Sequence, residues 1–511
     1  MSTFLNGDSE SVSSFWIEST PTTNYPELEG DIDVDVAVVG AGITGVTSAY
    51  LLKQAGKRVA LLDLKRVARG ATGYTTAKIT SGHNLIYASL EKSFGTEGAR
   101  TYAQANEAGV AKIREIVENL GLDCDLETKA NYAYAEKPDS LAEVESEVAV
   151  AKRAGLAATF VRETPLPFPV AGAIRIDDQA QFHPRKYLLP LVERIDGDGS
   201  HVFENTRVRD VRHGAPAVVE ADGGSVRAAN VLLATHLPFE DQGLFFAKAY
   251  PQRSYAVAAP IDVGAAPDGM FISVDSPTRS LRTALDGEGL LLIVGGEGHK
   301  TGQEPDTRER YGRLQEWARA RFGLEEFRYR WATHDHVSVD KAPFVGRLVP
   351  WNSDVWLATA YSKWGMTNGT AAAILITDVF TGRKNPWADF FSPHRGRSFI
   401  SRSLISENAN VAKRFVGDRI GLPGKERLDA LAPGDGALVR IDGEALAVSR
   451  AEDGALRAVS PRCTHLGCYV AWNAAEQTWD CPCHGSRYLA DGGLIEGPAV
   501  DDLAARELSL R

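Results

Sequence analysis

The sequence predicts an α/β dinucleotide-binding domain that continues in alternating helices and strands, followed by a small all-β module. Three observations predict it. Near the start, VDVAVVG leads through a glycine-rich turn into ITGVTSAYLLKQAG and then RVALLD, a strand, helix and strand in succession. Through the middle, helical stretches such as SLAEVESEVAVAKRAG alternate with short strand-like pieces such as VLLATH and LLLIVGG. Towards the end the texture changes to short β-like pieces with Gly and Asp turns, as in LAPGDGALVRIDGEALAVSRAEDGALRAVS.

A polar arm is expected over 1–30. VDVAVVG is a continuous apolar run suited to a strand buried on both faces, and the helix after it closes on Gly56. Gly40, Gly42 and Gly45 occupy the G-x-G-x-x-G positions and Asp63 ends the second strand. Gly40 permits the tight turn, Gly42 lets a pyrophosphate approach the backbone, and Gly45 lets the helix sit close on the strands. The helix N-terminus favours the anionic phosphates, and Asp63 is placed to take ribose hydroxyls. Later, KAPFVGRL and DVWLATAYSKWGMTNGTAAAILITDVFTG return to the nucleotide domain; the turn ends at Gly365, and a helix from Met366 onward directs its positive end at a cofactor ring. The polar, basic run from FFSPHRGRSF to GDRI suits a linker, placed at 401–420.

Composition bounds the function. A chain of 511 residues implies two to four folding units. The net charge of -11, with no Lys/Arg cluster, argues against a nucleic-acid partner. No apolar run reaches the length of a membrane span, and MSTFLNGDSESVSSFW lacks a signal pattern, so a cytoplasmic protein is expected. Five cysteines are too few for a disulfide scaffold. Cys124, alone in GLDCDLE, is expected as a half-buried small residue.

The other four cysteines gather in CTHLGC and CPCHGSRY. Cys463-x-His465 and Cys481-x-x-His484 bring two thiolates and two imidazoles onto two loops, a set that zinc would also accept. Each loop carries an additional cysteine, Cys468 or Cys483, for which a four-coordinate zinc site has no use, and a glycine, Gly467 or Gly485. Ser486 and Tyr488 follow as hydroxyl donors.

This ensemble resembles the Rieske [2Fe-2S] motif. The resemblance implies Cys463 and Cys481 on one iron, His465 and His484 on the other, and a disulfide between Cys468 and Cys483. Imidazoles in place of thiolates raise the potential of such a cluster to roughly -150 to +300 mV. A nicotinamide gives up a hydride whereas this cluster takes single electrons, so FAD is the consistent dinucleotide.

The front four fifths resembles the FAD-dependent D-amino acid oxidase and glycine oxidase superfamily, through VAVVGAGITG, LLDLKRVARGATGYTTAKITSGH, VLLATH, LLIVGGEGH, KAPFVG and YSKWGMTNG. The fusion itself resembles a bacterial group of joined flavin and Rieske oxidoreductases. The implied fold is a Rossmann-like FAD-binding domain of the glutathione-reductase type with a mixed-sheet substrate subdomain, then an all-β Rieske domain. The expected boundaries are 31–400 for the FAD-dependent domain and 421–511 for the Rieske domain. Within the former, FAD-binding parts fall at about 31–110, 165–245 and 330–400 and substrate parts at about 111–164 and 246–329.

The implied FAD contacts are Gly40, Gly42, Ile43, Thr44, Gly45, Asp63 and Leu64 on the ADP half. Arg69, Ala71, Thr72, Thr75 and Thr76 follow along the pyrophosphate and flavin edge. Val208, Ala234, Thr235 and Gly346, then Trp364, Gly365, Met366 and Thr367 near the ring, complete the set. Members of the superfamily usually end the VLLAT strand with Gly, where this chain has His236.

The expected reaction is dehydrogenation of a small amine or amino acid, with electrons passing through the Rieske cluster to an external acceptor, a protein or a quinone. Arg253 and Tyr255 in PQRSYAV, Arg282 in SLRTAL, His299 in EGHKTG and Lys363 are the candidate substrate residues. A guanidinium could clamp a carboxylate bidentately. His334 and His336 in THDHVS share a strand face but show no third ligand nearby in sequence, so they read as a surface strand. The alternatives weighed are a hydroxy-acid or sugar-alcohol dehydrogenase, a Rieske oxygenase with a mononuclear iron, and a non-catalytic electron carrier or redox sensor.

Overall fold

The computed structural model describes residues 13–352, 354–396, 402–419 and 421–508. Two sheets and a C-terminal pair of smaller sheets organise it. The first sheet runs in the order Phe344–Arg347, Val355–Thr359, Gly224–Leu233, Ile32–Val39, Val59–Leu62, His201–Phe203. Its centre is parallel, with Val36–Val39 in register with both Val59–Leu62 and Asn230–Leu233. These strands are apolar on both faces because the helices Ile43–Gln54 and Gly365–Phe380 pack together on one side while a separate apolar cluster fills the other.

The second sheet is mixed. It runs Tyr329–Ser338, Ala249–Pro260, Gly289–Lys300, Arg279–Asp286, Met270–Ser273, Glu127–Ala135, Gly172–Gln181, Lys78–Ile79, with Ala158–Val161 also paired to Gly172–Gln181. Gly172–Gln181 and Tyr329–Ser338, expected in the FAD-binding parts, join this second sheet and not the parallel one. The helix Tyr87–Leu120, kinked at Gly95, likewise crosses the expected boundary at 110 and packs against Gly365–Phe380. A boundary drawn between elements in sequence cannot see which sheet a strand joins.

Two further expectations change. The described part of the N-terminal arm is not loose: Phe15, Trp16 and Ile17 are buried, and Trp16 Nε1 donates to Thr75 O at 2.7 Å. The segment expected as a linker is helical over Arg402–Gly417 and is tied down, with Lys300 Nζ 2.6 Å from Glu407 and Asn408 Nδ2 donating to Ala247 O at 3.0 Å. Cys124 is fully buried, as befits a small apolar side chain.

The C-terminal module has a three-stranded sheet, Gly436–Ile441, Glu444–Arg450 and Leu456–Val459, and a four-stranded one, Ala471–Asn473, Thr478–Asp480, Arg487–Leu489 and Leu494–Glu496. Trp479 and Tyr488 fill its core beside the four cysteines. Among the described residues no helix is long and apolar enough to cross a membrane.

Candidate active site

The first strand ends at Val39, and the chain must turn at once to enter the helix Ile43–Gln54. Gly40 does this at φ +102°, where an added Cβ would lie 2.5 Å from Ala234 O. Gly45 faces the turn so closely that its Cβ would sit 1.8 Å from Gly40 O, so only glycine allows this helix to approach the strand. Asp63 accepts from Ala41 N and Lys65 N, both at 2.8 Å, and burial pushes its carboxyl up to about 6. Thr72 Oγ1 accepts from Ile43 N at 3.0 Å, fixing the far side of the loop.

A cavity of about 1420 Å³ opens from this turn and runs between the two large sheets. Gly40, Gly42, Ile43, Thr44, Asp63 and Leu64 line its nucleotide end. Arg69, Ala71, Thr72, Thr75 and Thr76 form one side, Val208, Ala234 and Thr235 another, and Trp364, Gly365 and Met366 the far end. The helix Gly365–Phe380 thus aims its N-terminus into the cavity. Tyr361 Oη lies 2.9 Å from Thr44 Oγ1 and joins the two ends of the wall.

Three of the expected contacts are not on the wall. Gly45 is used up in helix packing. Gly346 lies against the turn at Pro393, where a Cβ would meet Pro393 Cδ at 2.5 Å. Thr367 is buried and donates to Thr80 O at 2.9 Å.

Among the substrate candidates, Tyr255 and Lys363 line the cavity. Lys363 Nζ donates to Ser254 Oγ at 2.8 Å on the cavity wall, and desolvation lowers its pKa. Tyr255 Oη lies 2.8 Å from His299 Nε2. His299 Nδ1 donates to Lys300 O at 2.8 Å, so His299 stands behind Tyr255 as its acceptor, and burial brings its pKa down to about 4.

The two arginines are committed elsewhere. Arg282 Nη1 donates to Thr76 O, Ala77 O and Phe182 O at 3.2, 2.8 and 3.0 Å, and its guanidinium lies over Trp16. Arg253 is fully buried and holds Glu476 of the C-terminal module. Neither is a carboxylate clamp in this arrangement, because each has its charge answered within the fold.

The second site is built on the loops after Ser460 and after Asp480. Cys463 and Cys481 are free and buried, and Cys468 and Cys483 are joined in a disulfide with Cα atoms 6.5 Å apart. The rings of His465 and His484 lie 5.0 Å apart between centroids. His465 Nδ1 is buried without a hydrogen-bond partner, and its Nε2 lies 2.9 Å from Asp241 Oδ1. Tyr488 Oη is 3.2 Å from Cys463 Sγ. The Cys463 thiol is brought down to about 6, chiefly by its hydrogen bond with Cys481 and further by Tyr488 and Ser486. Two close thiols, one predisposed to ionise, and an imidazole nitrogen turned inward are what an iron–sulfur cluster needs of its donors.

Residues 35–379 match the family described as DAO: FAD dependent oxidoreductase, and residues 426–507 match the Rieske [2Fe-2S] domain. The chain belongs to the FAD-dependent oxidoreductase family. It is 36% identical over 503 residues to YhfW of Bacillus subtilis (strain 168), named as a Rieske 2Fe-2S iron-sulfur protein, covering 98% of both chains. It is 29% identical over 216 residues to the gamma-glutamylputrescine oxidoreductase of Escherichia coli (strain K12), covering 41% of this chain and 50% of that one. The glycine oxidase structure from Geobacillus kaustophilus superposes with a TM-score of 0.61 at 18% identity, over 71% of this chain and 99% of that chain. This FAD-dependent oxidoreductase therefore carries two cofactors, FAD and a Rieske [2Fe-2S] cluster, and the donors just described fit both.

In this FAD-dependent oxidoreductase the Rieske module is docked on the flavin domain, and the docking residues are the ones sequence reasoning missed. Asp241 meets His465, and the Phe246 ring lies 5.3 Å from that of His484. Arg487 joins Glu476 at 2.8 Å and Asp480 at 3.2 Å beside Arg253. Arg209 and Arg207 hold Asp501 and Asp502, at 2.5 and 2.9 Å. His334 and His336 are not on a surface strand: both are buried under this interface, with His336 Nε2 donating to His484 O at 3.1 Å. The sequence signals here were His236, as a departure from Gly, and the alternation of His334 and His336 on one strand face.

Proposed function

We propose that this oxidoreductase dehydrogenates a small amine or amino acid and passes the electrons through its Rieske cluster to an external one-electron acceptor, a protein or a quinone. The docking of both cluster histidines on the flavin domain, His465 on Asp241 and His484 beside His336, carries this reading. Relatives named for glycine and gamma-glutamylputrescine support an amine as substrate. Bound FAD accepts two electrons at once and can release them singly, which suits a cluster that takes one at a time. An oxidase that gives its electrons to dioxygen has no use for such a cluster.

The chain's own residues then have defined work. The turn at Gly40 to Thr44 and the helix behind it hold the pyrophosphate, and Asp63 holds ribose hydroxyls. Tyr255, with its hydroxyl donated to His299, presents a fixed phenol edge to the substrate end. Lys363 offers a partly desolvated cation to a substrate carboxylate. Glu476, Leu494 and Ile495 of the Rieske module line the same cavity, so the docked module also excludes water from it.

Anaerobic addition of amino acids and hydroxy acids matched in carbon skeleton tests the reading. Bleaching of the flavin by one or more amines or amino acids is expected. Bleaching by the hydroxy acids alone would move the substrate to the alcohol class, and bleaching by no small molecule would favour a relay between proteins.

A further inference from the structure

Three histidines meet where the cavity wall, lined there by His236, His334 and Glu496, comes up against the cluster site through His336. His334 and His336 alternate on the strand Tyr329–Ser338 and so present one face. His236 reaches them from the end of the strand Gly224–Leu233. The ring centroids lie 5.4, 4.7 and 4.9 Å apart, and the rings stand at 77°, 83° and 63° to one another, arranged around a common point. One nitrogen from each can be chosen so that all lie within 4.8 Å of one another. Glu496, from the last strand of the Rieske module, adds a carboxylate oxygen 2.7 Å from His236 Nδ1 and 3.3 Å from His334 Nδ1.

The hydrogen bonding around this point is incomplete. His334 and His336 are 3% and 1% exposed. His334 Nε2 and His336 Nδ1 have no hydrogen-bond partner, and His334 Nδ1 has only the Glu496 carboxylate 3.3 Å away. The His484 carbonyl can only accept, so His336 Nε2 carries its proton, and Nδ1 is left as a bare lone pair in a buried place. Leaving such buried atoms unmatched is costly to the fold. A backbone carbonyl on the outer N–H is also the usual support for an imidazole that binds metal through its other nitrogen.

His236 carries a second, independent sign. Its φ is +69°, a left-handed conformation that a side chain adopts at a cost and glycine adopts freely.

We propose that His236, His334, His336 and Glu496 bind a divalent first-row transition metal of the zinc or iron(II) class, set between the flavin cavity and the Rieske cluster. Three neutral imidazoles and one carboxylate match the four-coordinate preference of zinc, and imidazole donors suit iron, copper and nickel as well. Three ligands come from the flavin domain and the fourth from the Rieske module, so the ion locks the docked arrangement. Through His336 it is also joined to the carbonyl of a cluster ligand.

The test uses full-length protein carrying FAD and cluster. As-purified metal content is measured first; the protein is then treated with a mild chelator that leaves the cluster intact and titrated with Co²⁺ alone, then Zn²⁺ alone. One ion per chain beyond the two cluster irons is expected, with visible Co²⁺ ligand-field absorption of a four-coordinate nitrogen and oxygen site. His236→Gly suits the backbone at that position and should bind the ion more than about a hundredfold more weakly. Glu496→Gln is read in parallel, and in both variants the FAD and cluster spectra report an intact fold. Wild-type protein that holds and takes up no ion beyond the cluster irons, its pocket filled by water only, would overturn the proposal. So would either variant, with FAD and cluster intact, binding Co²⁺ as the wild type does.

Discussion

Tyr488 is the residue whose role is most local. Its hydroxyl is 3.2 Å from Cys463 Sγ, and a hydrogen bond to a ligand sulfur disperses charge and favours the reduced cluster. Tyr488→Phe should lower the cluster midpoint potential with the EPR signal retained; an unchanged potential would reject the role. Lys363→Met should raise KM for an amino acid about thirtyfold, the equivalent of ~2 kcal/mol for a charged hydrogen bond, while an amine lacking the carboxylate is affected far less. Steady-state kinetics on a matched pair of substrates reads the difference. The two Cys/His loops of the Rieske module and the Gly40 to Gly45 turn were legible in the sequence because each is a short segment whose spacing is its geometry. The commitments of Arg253 and Arg282 were not, since carbonyls and carboxylates that answer a buried guanidinium arrive from distant segments.

At the scale of elements, the helix Pro184–Ile195 is capped by a histidine: His183 Nδ1 accepts from Lys186 N at 3.2 Å and Nε2 donates to Ser19 Oγ at 3.0 Å. Burial pushes this ring down to about 3 from 6.5, so it is neutral when folded. Below pH 6.5 the unfolded chain takes up a proton that the folded chain refuses, and the stability this ring contributes is lost progressively down to about pH 3. The loss is ~2 kcal/mol at about pH 5. His183→Asn keeps a good cap and removes the titration, so the fall in Tm between about pH 7 and about pH 5 should shrink. An equal fall in both proteins would count against it. Helices and parallel strands here followed their periodicity. The N-terminal arm and the segment Arg402–Gly417 did not, because polar composition masks the few side chains, such as Trp16 and Glu407, that anchor them.

For the whole molecule, the decisive feature is the interface between the flavin domain and the Rieske module, and almost none of it was legible. Two recognisable domains could be read separately, but Asp241 on His465 or Glu496 among three histidines is a property of their docking. Arg253 is fully buried with Glu476 as its close partner. Removing the charge in Glu476→Gln leaves that guanidinium poorly compensated, at a cost of about 3 kcal/mol to the docked state. Hydrogen exchange in the strands Thr478–Asp480 and Arg487–Leu489 should increase while FAD stays bound; unchanged protection would show that the network does not hold the module. The most direct measurement of the central claim is rapid-freeze EPR of the intact protein after anaerobic mixing with a substrate that bleaches the flavin. The docked arrangement predicts that the Rieske signal grows in at a rate independent of protein concentration and that Glu476→Gln slows it. A cluster that stays oxidised while the flavin is reduced, or one reduced only in proportion to protein concentration, would contradict it.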